Sequence, residues 1–316
     1  MTPIVSIVLP VYNGARYLAE AVAAVRGQLR EDWDLVIVDD ASTDGTPDLI
    51  AGWAARDGRI RAIRHPANRK LPAALNTGLE AAQGKYLTWT SDDNRYRPAA
   101  LAEMVSFLDR HPQIALVYAD QALIDEDGRV VGHKCVGPPD QLGLSNCVGG
   151  CFLFRREVLA VIGGYREDRF LVEDYDFWLR LRAAFPIAPL HRTLYEYRHH
   201  AGSLTSTRRQ QVFQQTELVV AEHLPTLRRA GRRIQANLNL QLAALAQRRG
   251  DLPAARRRLL AAARHSPWRA MRYLPGLVSK GLLGIHVRVV AGPAYRALRR
   301  WRRGARTTAS QGATGR

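Results

Sequence analysis

Short apolar runs alternate with longer amphipathic stretches through the first two hundred residues. Val5-Ser-Ile-Val-Leu9, closed by Pro10, and Leu35-Val-Ile-Val-Asp39 are rich in β-branched residues and too short for helices, which predicts buried strands. Between them Val11-Tyr12-Asn13-Gly14 makes a turn, and Leu18, Ala21, Val22, Val25 and Leu29 recur at helical spacing. Thr46-Pro47 predicts a helix start, with Thr as cap and Pro at the first helical position. A weaker strand is expected over 61–64, a helix over 72–82 and a buried strand over 85–90. Strands alternating with helices of this length predict βαβ units and a parallel sheet.

The alternation continues with a helix from Pro98 to about 110, a strand over 114–118, a turn at Asp125-Glu-Asp-Gly128 and a strand over 149–154 that enters a helix at Arg155. Glu173-Asp174-Tyr175-Asp176 leads another helix, and a strand over 193–198 ends in His199-His200. Past residue 215 the pattern is helical only. Segments 238–249 and 253–264 flank Gly250-Asp251 as a helical hairpin. Apolar residues and arginines are interspersed over 268–301, and the small, polar stretch 307–316 is expected to be disordered.

Charge changes this picture at one place. Of a formal net charge of +17 over 316 residues, residues 1–215 carry 25 Lys+Arg against 26 Asp+Glu; residues 216–316 carry the other 21 Lys+Arg against Glu217, Glu222 and Asp251. A nearly neutral domain is therefore followed by a strongly basic tail suited to an anionic surface. Cys135, Cys147 and Cys151 have neither a disulfide framework nor zinc-finger spacing, and are read as packing thiols. No stretch reaches 18 uninterrupted apolar residues, and the N-terminus has no basic region leading an apolar signal core. Neither Gly-x-Gly-x-x-Gly after the first strand nor a P-loop is present, so a dinucleotide fold and a P-loop ATPase are not supported.

Two predicted strands end in acid pairs, Asp39-Asp40 and Asp92-Asp93. In a parallel sheet all strand C-termini share one edge, so both pairs are expected at one cleft, where ligands of open α/β sheets bind. Acids there suit a divalent cation and, through it, a phosphate. Trp89 and Trp178 are read as core; His111, His191 and His199 as structural or surface residues.

The pieces Val8-Leu-Pro-Val-Tyr-Asn13, Val36-Ile-Val-Asp-Asp-Ala-Ser-Thr-Asp-Gly45, Asn68 with Leu75-Asn-Thr-Gly78, Thr90-Ser-Asp-Asp93 with Pro98, Phe154-Arg155 through Gly163-Gly-Tyr165, Glu173-Asp174, and Tyr197-Arg-His-His200 through Ser203 occur in order. With these the chain, over roughly 3–205, resembles a family-2 glycosyltransferase with the GT-A fold. The resemblance implies an inverting enzyme with a mostly parallel central sheet flanked by helices. It implies a nucleotide-diphospho-sugar donor, Mg²⁺ or Mn²⁺ as cofactor, and a glycan or lipid-linked acceptor. Pro10, Val11, Tyr12, Asp39, Asp40, Asn68, Asn76 and Ser91 match the nucleotide-sugar pocket; Asp92, Asp93 and His200 match the metal and diphosphate position. Asp174 matches the catalytic base, with Glu173 and Asp176 as alternatives. Thr90 stands where the first acid of the Asp-x-Asp motif falls, and Leu75 where an arginine is common.

The expected organisation is a catalytic domain over 1–215, a basic helical tail over 216–306 and a disordered end over 307–316. Trp268 and Trp301 bracket arginines and apolar residues, which suits a helix lying in a membrane interface. The enzyme is thus expected in the cytoplasm, peripheral on the inner face of the cell membrane, with no nucleic-acid partner. The competing readings are a nucleotide-sugar-binding relative with altered activity and, from another class, a basic nucleic-acid-binding or scaffold protein.

Overall fold

The computed structural model describes residues 3–227 and 231–271. In chain order the elements are β1 (Val5–Val11), α1 (Leu18–Arg26), β2 (Trp33–Asp39), α2 (Thr46–Arg56), β3 (Ile60–Arg64), α3 (Leu71–Ala81), β4 (Tyr86–Trp89), β5 (Arg95–Tyr96), α4 (Ala100–Arg110), β6 (Leu116–Ile124) and β7 (Val130–Lys134). A 3-10 turn at Pro139–Gly143 precedes β8 (Phe152–Arg155), α5 (Glu157–Ile162), α6 (Glu173–Ala184), β9 (Ile187–Arg198), α7 (Leu204–Thr207), α8 (Arg209–Thr226), α9 (Arg232–Arg248) and α10 (Leu252–His265).

Among the described residues the strands form one sheet in the order β3-β2-β1-β4-β8-β6-β9-β5, with β7 against β6. β3, β2, β1 and β4 run parallel, as the βαβ pattern predicts. Beyond them the sheet is mixed: β8 is antiparallel to β4 and β6, β9 is parallel to β6, and β5 and β7 are antiparallel additions. β1 and β2 are buried on both faces. Ile7, Leu9, Leu35 and Ile37 pack with Leu18, Val22, Leu101 and Met104 of α1 and α4. Val8, Val36 and Val38 belong to the opposite layer with Leu75 of α3 and Phe177 of α6. The period of two along each strand feeds both layers. The fit against α3 is close: a Cβ on Gly78 would stand 2.2 Å from a Val8 methyl. Leu29, which continues the helical spacing of α1, is 72% exposed because the helix ends at Arg26.

The basic segment does not begin where the core ends. Val219 and Val220 of α8 and Ile234, Leu238 and Leu242 of α9 are buried in the same cluster as Phe154, Phe177 and Trp178. The core therefore runs across residue 215, where the charge pattern suggests a boundary. α9 and α10 form the expected hairpin, and the Asp251 side chain caps α10 by accepting the Ala254 N–H at 3.0 Å. From residue 272 on, the interfacial helix expected over 268–301 and the disordered end expected over 307–316 lie outside the described residues.

Asp176 ties α6 to α8. Its carboxylate, fully buried, meets His223 Nε2 at 2.8 Å and Arg180 Nε at 2.8 Å. Burial pushes this carboxyl up, but the bonds from His223 and Arg180 outweigh it and leave the group below the usual carboxylate value. A depressed carboxylate stabilises the fold above its unfolded value near 4, and that contribution is lost as pH falls through the lower folded-state value. Asp176→Asn is expected to cost about 3 kcal/mol at pH 7 and to flatten the loss of stability below about pH 4. Denaturant melts from about pH 7 down to about pH 2, across the ordinary carboxylate range, check this, and parallel curves for the two proteins would reject it.

Candidate active site

The cleft begins where β1 parts from β4. Val8 accepts the Thr90 N–H at 2.9 Å. Two residues on, Pro10 has no N–H to give, and pairing with β4 has stopped at Val8. Pairing with β2 continues to Val11 and Asp39. The chain segments after β1, β2 and β4 thus leave the sheet at one edge, with β1 between the other two, which is the switch-point crevice of an open α/β sheet. Asp39-Asp40 and Ser91-Asp92-Asp93 lie along this edge together.

Cross-loop hydrogen bonds fix the rim. The Asn13 N–H donates to Ser42 Oγ (2.9 Å), the Gly14 N–H to Thr46 Oγ1 (3.0 Å) and the Thr43 N–H to Asn13 Oδ1 (2.8 Å). Asn13, Ala41, Lys70 and Leu171 are the non-glycine residues with positive φ among the described residues. Asn13 and Ala41 follow β1 and β2, Lys70 directly precedes α3, and Leu171 stands two residues before α6. Such conformations cost on the order of 1–3 kcal/mol each and persist where neighbours over-determine them.

The residues expected to meet a nucleotide divide into two groups. Pro10 and Val11 are buried at the floor, while Tyr12 is 52% exposed at the mouth. Buried Asp39 accepts the Ser42 N–H on Oδ1, and its Oδ2 has only the Arg64 guanidinium, at 3.4 Å. Asn68 Oδ1 is buried with no partner, and Ser91 is half-buried beside the acids. Asp40 and Asn76 are instead engaged within the chain. Asp40 accepts the Arg69 and Lys70 N–H groups, each at 2.8 Å, and meets His65 Nδ1 at 2.7 Å. Asn76 clamps Tyr165, donating to its carbonyl and accepting its N–H, both at 2.8 Å. These two hold the loops that carry the pocket.

At the end of β4, Asp92 packs against Gly14 so closely that a Cβ there would stand 1.9 Å from Oδ2. Burial, with Asp93 and Asp44 nearby, pushes the Asp92 carboxyl up to about 7. Asp93 meets His200 Nε2 at 3.0 Å with Oδ2 and leaves Oδ1 buried without a partner. No group of three His, Cys, Asp or Glu side chains among the described residues forms a closed metal cage. Crowded carboxylates with an unpartnered oxygen nevertheless fit a cation that is completed by substrate phosphate and water, the usual arrangement for Mg²⁺. Thr90 is 1% exposed, and its hydroxyl meets that of Tyr195 at 2.7 Å, so its side chain belongs to the core.

Arg198, buried at the end of β9, assigns no role from the sequence pattern alone. Its Nε donates to the Asp93 carbonyl (2.9 Å), and its other nitrogens reach the Asp125 and Glu126 carbonyls and the Glu20 carboxylate. It fixes the backbone under the acid pair.

Asp174 opens α6. Its Oδ1 accepts the Tyr175 N–H and its Oδ2 accepts from Asn146 Nδ2, both at 2.6 Å. Burial raises the Asp174 carboxyl; burial and the Asp174 charge raise Glu173, whose Oε2 is buried without a partner. Both acids act electrostatically on Tyr165, whose hydroxyl accepts from Trp89 Nε1 at 2.8 Å. The start of α6 is thereby linked to the end of β4. Asp176, the third acid of this stretch, is the buried partner of His223 and Arg180. Asn146, in an irregular loop, and Lys134, on edge strand β7, were not marked by any motif; only their tertiary position beside Asp174 identifies them.

The glycosyl transferase family 2 model matches residues 6–163. Putative glycosyltransferase EpsE of Bacillus subtilis is 32% identical over 209 residues, covering 64% of this chain and 75% of that protein. The putative teichuronic acid biosynthesis glycosyltransferase TuaG of Bacillus subtilis is 29% identical, covering 65% and 83%. The uncharacterized protein y4gI of Sinorhizobium fredii is 32% identical over 66% of this chain, but the match spans only 24% of its own length. Two solved structures share the fold. S. aureus TarS in complex with UDP-GlcNAc has a TM-score of 0.62 at 17% identity, covering 88% of each chain. Mannosyltransferase PcManGT from Pyrobaculum calidifontis, with GDP-Man and Mn²⁺, has a TM-score of 0.60 at 22% identity, covering 89% of this chain and 81% of that one. The acid-lined edge of a GT-A sheet and the family match agree: the chain belongs to glycosyl transferase family 2 and is a glycosyltransferase.

Proposed function

We propose that this enzyme is metal-dependent and inverting, and moves a sugar from a nucleoside-diphosphate donor to a hydroxyl of a glycan or lipid-linked acceptor in cell-surface glycan synthesis. The observation that carries the reading is the acid pair at the end of β4, where Asp92 is crowded by Asp93 and Asp44 and Asp93 Oδ1 has no partner. The relatives support it: TuaG is a putative teichuronic acid biosynthesis glycosyltransferase, and PcManGT is a mannosyltransferase solved with GDP-Man and Mn²⁺. UDP-GlcNAc in one structural neighbour and GDP-Man in the other leave the choice of nucleotide open.

Asp92 and Asp93, with His200 beside them, would hold Mg²⁺ or Mn²⁺, which stabilises negative charge on a leaving diphosphate. Asp39 and Asn68 Oδ1 are the acceptors left for ribose hydroxyls or a base N–H; Pro10, Val11 and Tyr12 form the adjoining wall and Ser91 adjoins the acids. Asp174 takes the proton from the acceptor hydroxyl. The freed oxygen forms a bond to the anomeric carbon as the bond to the diphosphate breaks on the opposite face and its electron pair leaves with the diphosphate. One displacement inverts the centre and needs no protein nucleophile. The raised Asp174 carboxyl makes it a stronger base than an exposed aspartate.

The basic tail suits an anionic membrane surface, where each engaged cation contributes about 1 kcal/mol. No helix among the described residues is long and apolar enough to cross a membrane. Trp268 and Met271, at the end of the described chain, are exposed.

Thermal-shift screening with UDP- and GDP-sugars plus Mn²⁺ is expected to identify a donor whose stabilising effect disappears in Asp92→Ala. Asp174→Asn should keep that effect while lowering kcat by about 10²- to 10⁴-fold; near-normal turnover would remove Asp174 as base, and Glu173→Gln would then test its neighbour. Because activity needs the base ionised and burial raises it, kcat should climb with pH along a limb above the ordinary carboxylate value of about 4. A limb at or below that value would contradict a buried carboxylate base. Truncation after Met271 should abolish sedimentation with anionic vesicles and leave donor binding intact; undiminished sedimentation would dismiss the tail as the anchor.

A further inference from the structure

Near Asp174 a buried amide nitrogen and a lysine ammonium approach the same glycine. Gln121 of β6 is 1% exposed, and its Nε2 has no hydrogen-bond partner. A Cβ on Gly149 would stand 2.1 Å from that nitrogen and 3.4 Å from Lys134 Nζ. The amide and the ammonium thus meet over one face of Gly149, whose φ of +70° also favours glycine. Lys134 Nζ makes no hydrogen bond or salt bridge among the described residues. A buried donor without an acceptor is costly, so the Gln121 amide is incomplete without a ligand oxygen, and the exposed Lys134 side chain stands beside it.

The glycine that the pair flanks is joined to the proposed base through Asn146. The Gly149 N–H donates to Asn146 Oδ1 at 3.4 Å, and Asn146 Nδ2 donates to Asp174 at 2.6 Å. Burial draws the Lys134 ammonium down, and Asp174 acts on it through space in the opposite direction. A neutral sugar oxygen would complete the amide but bring no counter-charge to the ammonium beside it. An oxyanion does both, since charge-assisted bonds to an ammonium are roughly twice as strong as neutral ones.

We propose that Gln121 and Lys134, across Gly149, form an acceptor subsite for an oxyanion, a phosphate or carboxylate carried next to the hydroxyl that Asp174 deprotonates. The subsite deepens the proposed function and rests on it for the identity of the base. It gives the acceptor a second point of attachment, which orients its hydroxyl, and uses an uncharged amide so that one ammonium serves both Asp174 and the ligand.

Equilibrium titration of the full-length chain with sn-glycerol 3-phosphate, glycerol and inorganic phosphate tests the subsite without requiring turnover. Glycerol 3-phosphate is expected to bind more tightly than either glycerol or inorganic phosphate. Lys134→Met, at an exposed edge-strand position, should weaken it by about tenfold or more, and Gln121→Leu by a smaller factor, with melting temperature and donor binding retained in the lysine variant. Equal affinity in wild type and Lys134→Met overturns the proposal, as does equal binding of glycerol and glycerol 3-phosphate. Inorganic phosphate binding as tightly as glycerol 3-phosphate overturns the acceptor-borne origin and reduces the site to an adventitious ion only. Asp174→Asn separates the two readings: if it transfers sugar normally the base assignment falls, whereas Lys134-dependent binding of glycerol 3-phosphate in that variant upholds the subsite.

Discussion

β1 shares hydrogen bonds with β2 to its last residue but with β4 only as far as Val8. This difference opens the cleft. Pro10, without an N–H, cannot extend the ladder toward β4, so the chain after β4 is released just as Asp92 and Asp93 arrive. Gly14 then lets the turn after β1 come back against Asp92, where no side chain would fit. The position of the acids follows from a strand that stops pairing on one side before the other, and from one glycine beside it.

The rest of the site is held from a distance. Arg198 fixes the backbone at Asp93 from the end of β9, Asn76 locks the Gly163–Tyr165 turn to α3, and Asp40 holds the loop before α3. The start of α6, which carries Asp174, is braced from the basic segment itself. Tyr175, next to Asp174, donates its hydroxyl to the Leu142 carbonyl and lies 2.9 Å from Gln241 Oε1 of α9. Arg269 reaches Asp140 at 2.6 Å and Asn237 Oδ1 at 3.0 Å. α8 and α9 complete the core of the catalytic layer, so the first part of the basic segment serves the active-site side of the molecule whatever the residues beyond 271 do.

What was legible in the sequence is what local pattern controls. The buried strands β1, β2 and β4 announce themselves as β-branched runs, and their parallel order places both acid pairs at one edge. The shared core of α8 and α9 is not legible in the sequence, since an amphipathic helix does not say which surface its apolar face meets, and the charge pattern suggests a separate tail. Asp40 and Asn76 show the same limit at the site. A carboxylate and an amide at the rim have the chemistry of ligand contacts, yet their partners, Arg69, Lys70 and Tyr165, lie 29 to 89 residues away and claim them for loop positioning. Asn146 and Lys134 fail in the opposite direction, because nothing local distinguishes them and only packing brings them to Asp174.

Thr90 shows why a missing motif residue has to be judged by where its side chain goes. By sequence it removes the first acid of an Asp-x-Asp pattern and suggests a weakened cation or ribose contact. In the structure the position is 1% exposed and hydrogen-bonded to the Tyr195 hydroxyl, in a layer where Thr88 also meets the Tyr96 hydroxyl at 2.9 Å. A carboxylate there would be a buried charge with a phenol for its partner, and its desolvation would oppose ionisation. The threonine keeps a hydroxyl bond at that point without the cost of burying a charge. The acids that face the cleft are Asp92 and Asp93, two and three residues later, where the chain has left the sheet and each keeps some exposure to the cleft.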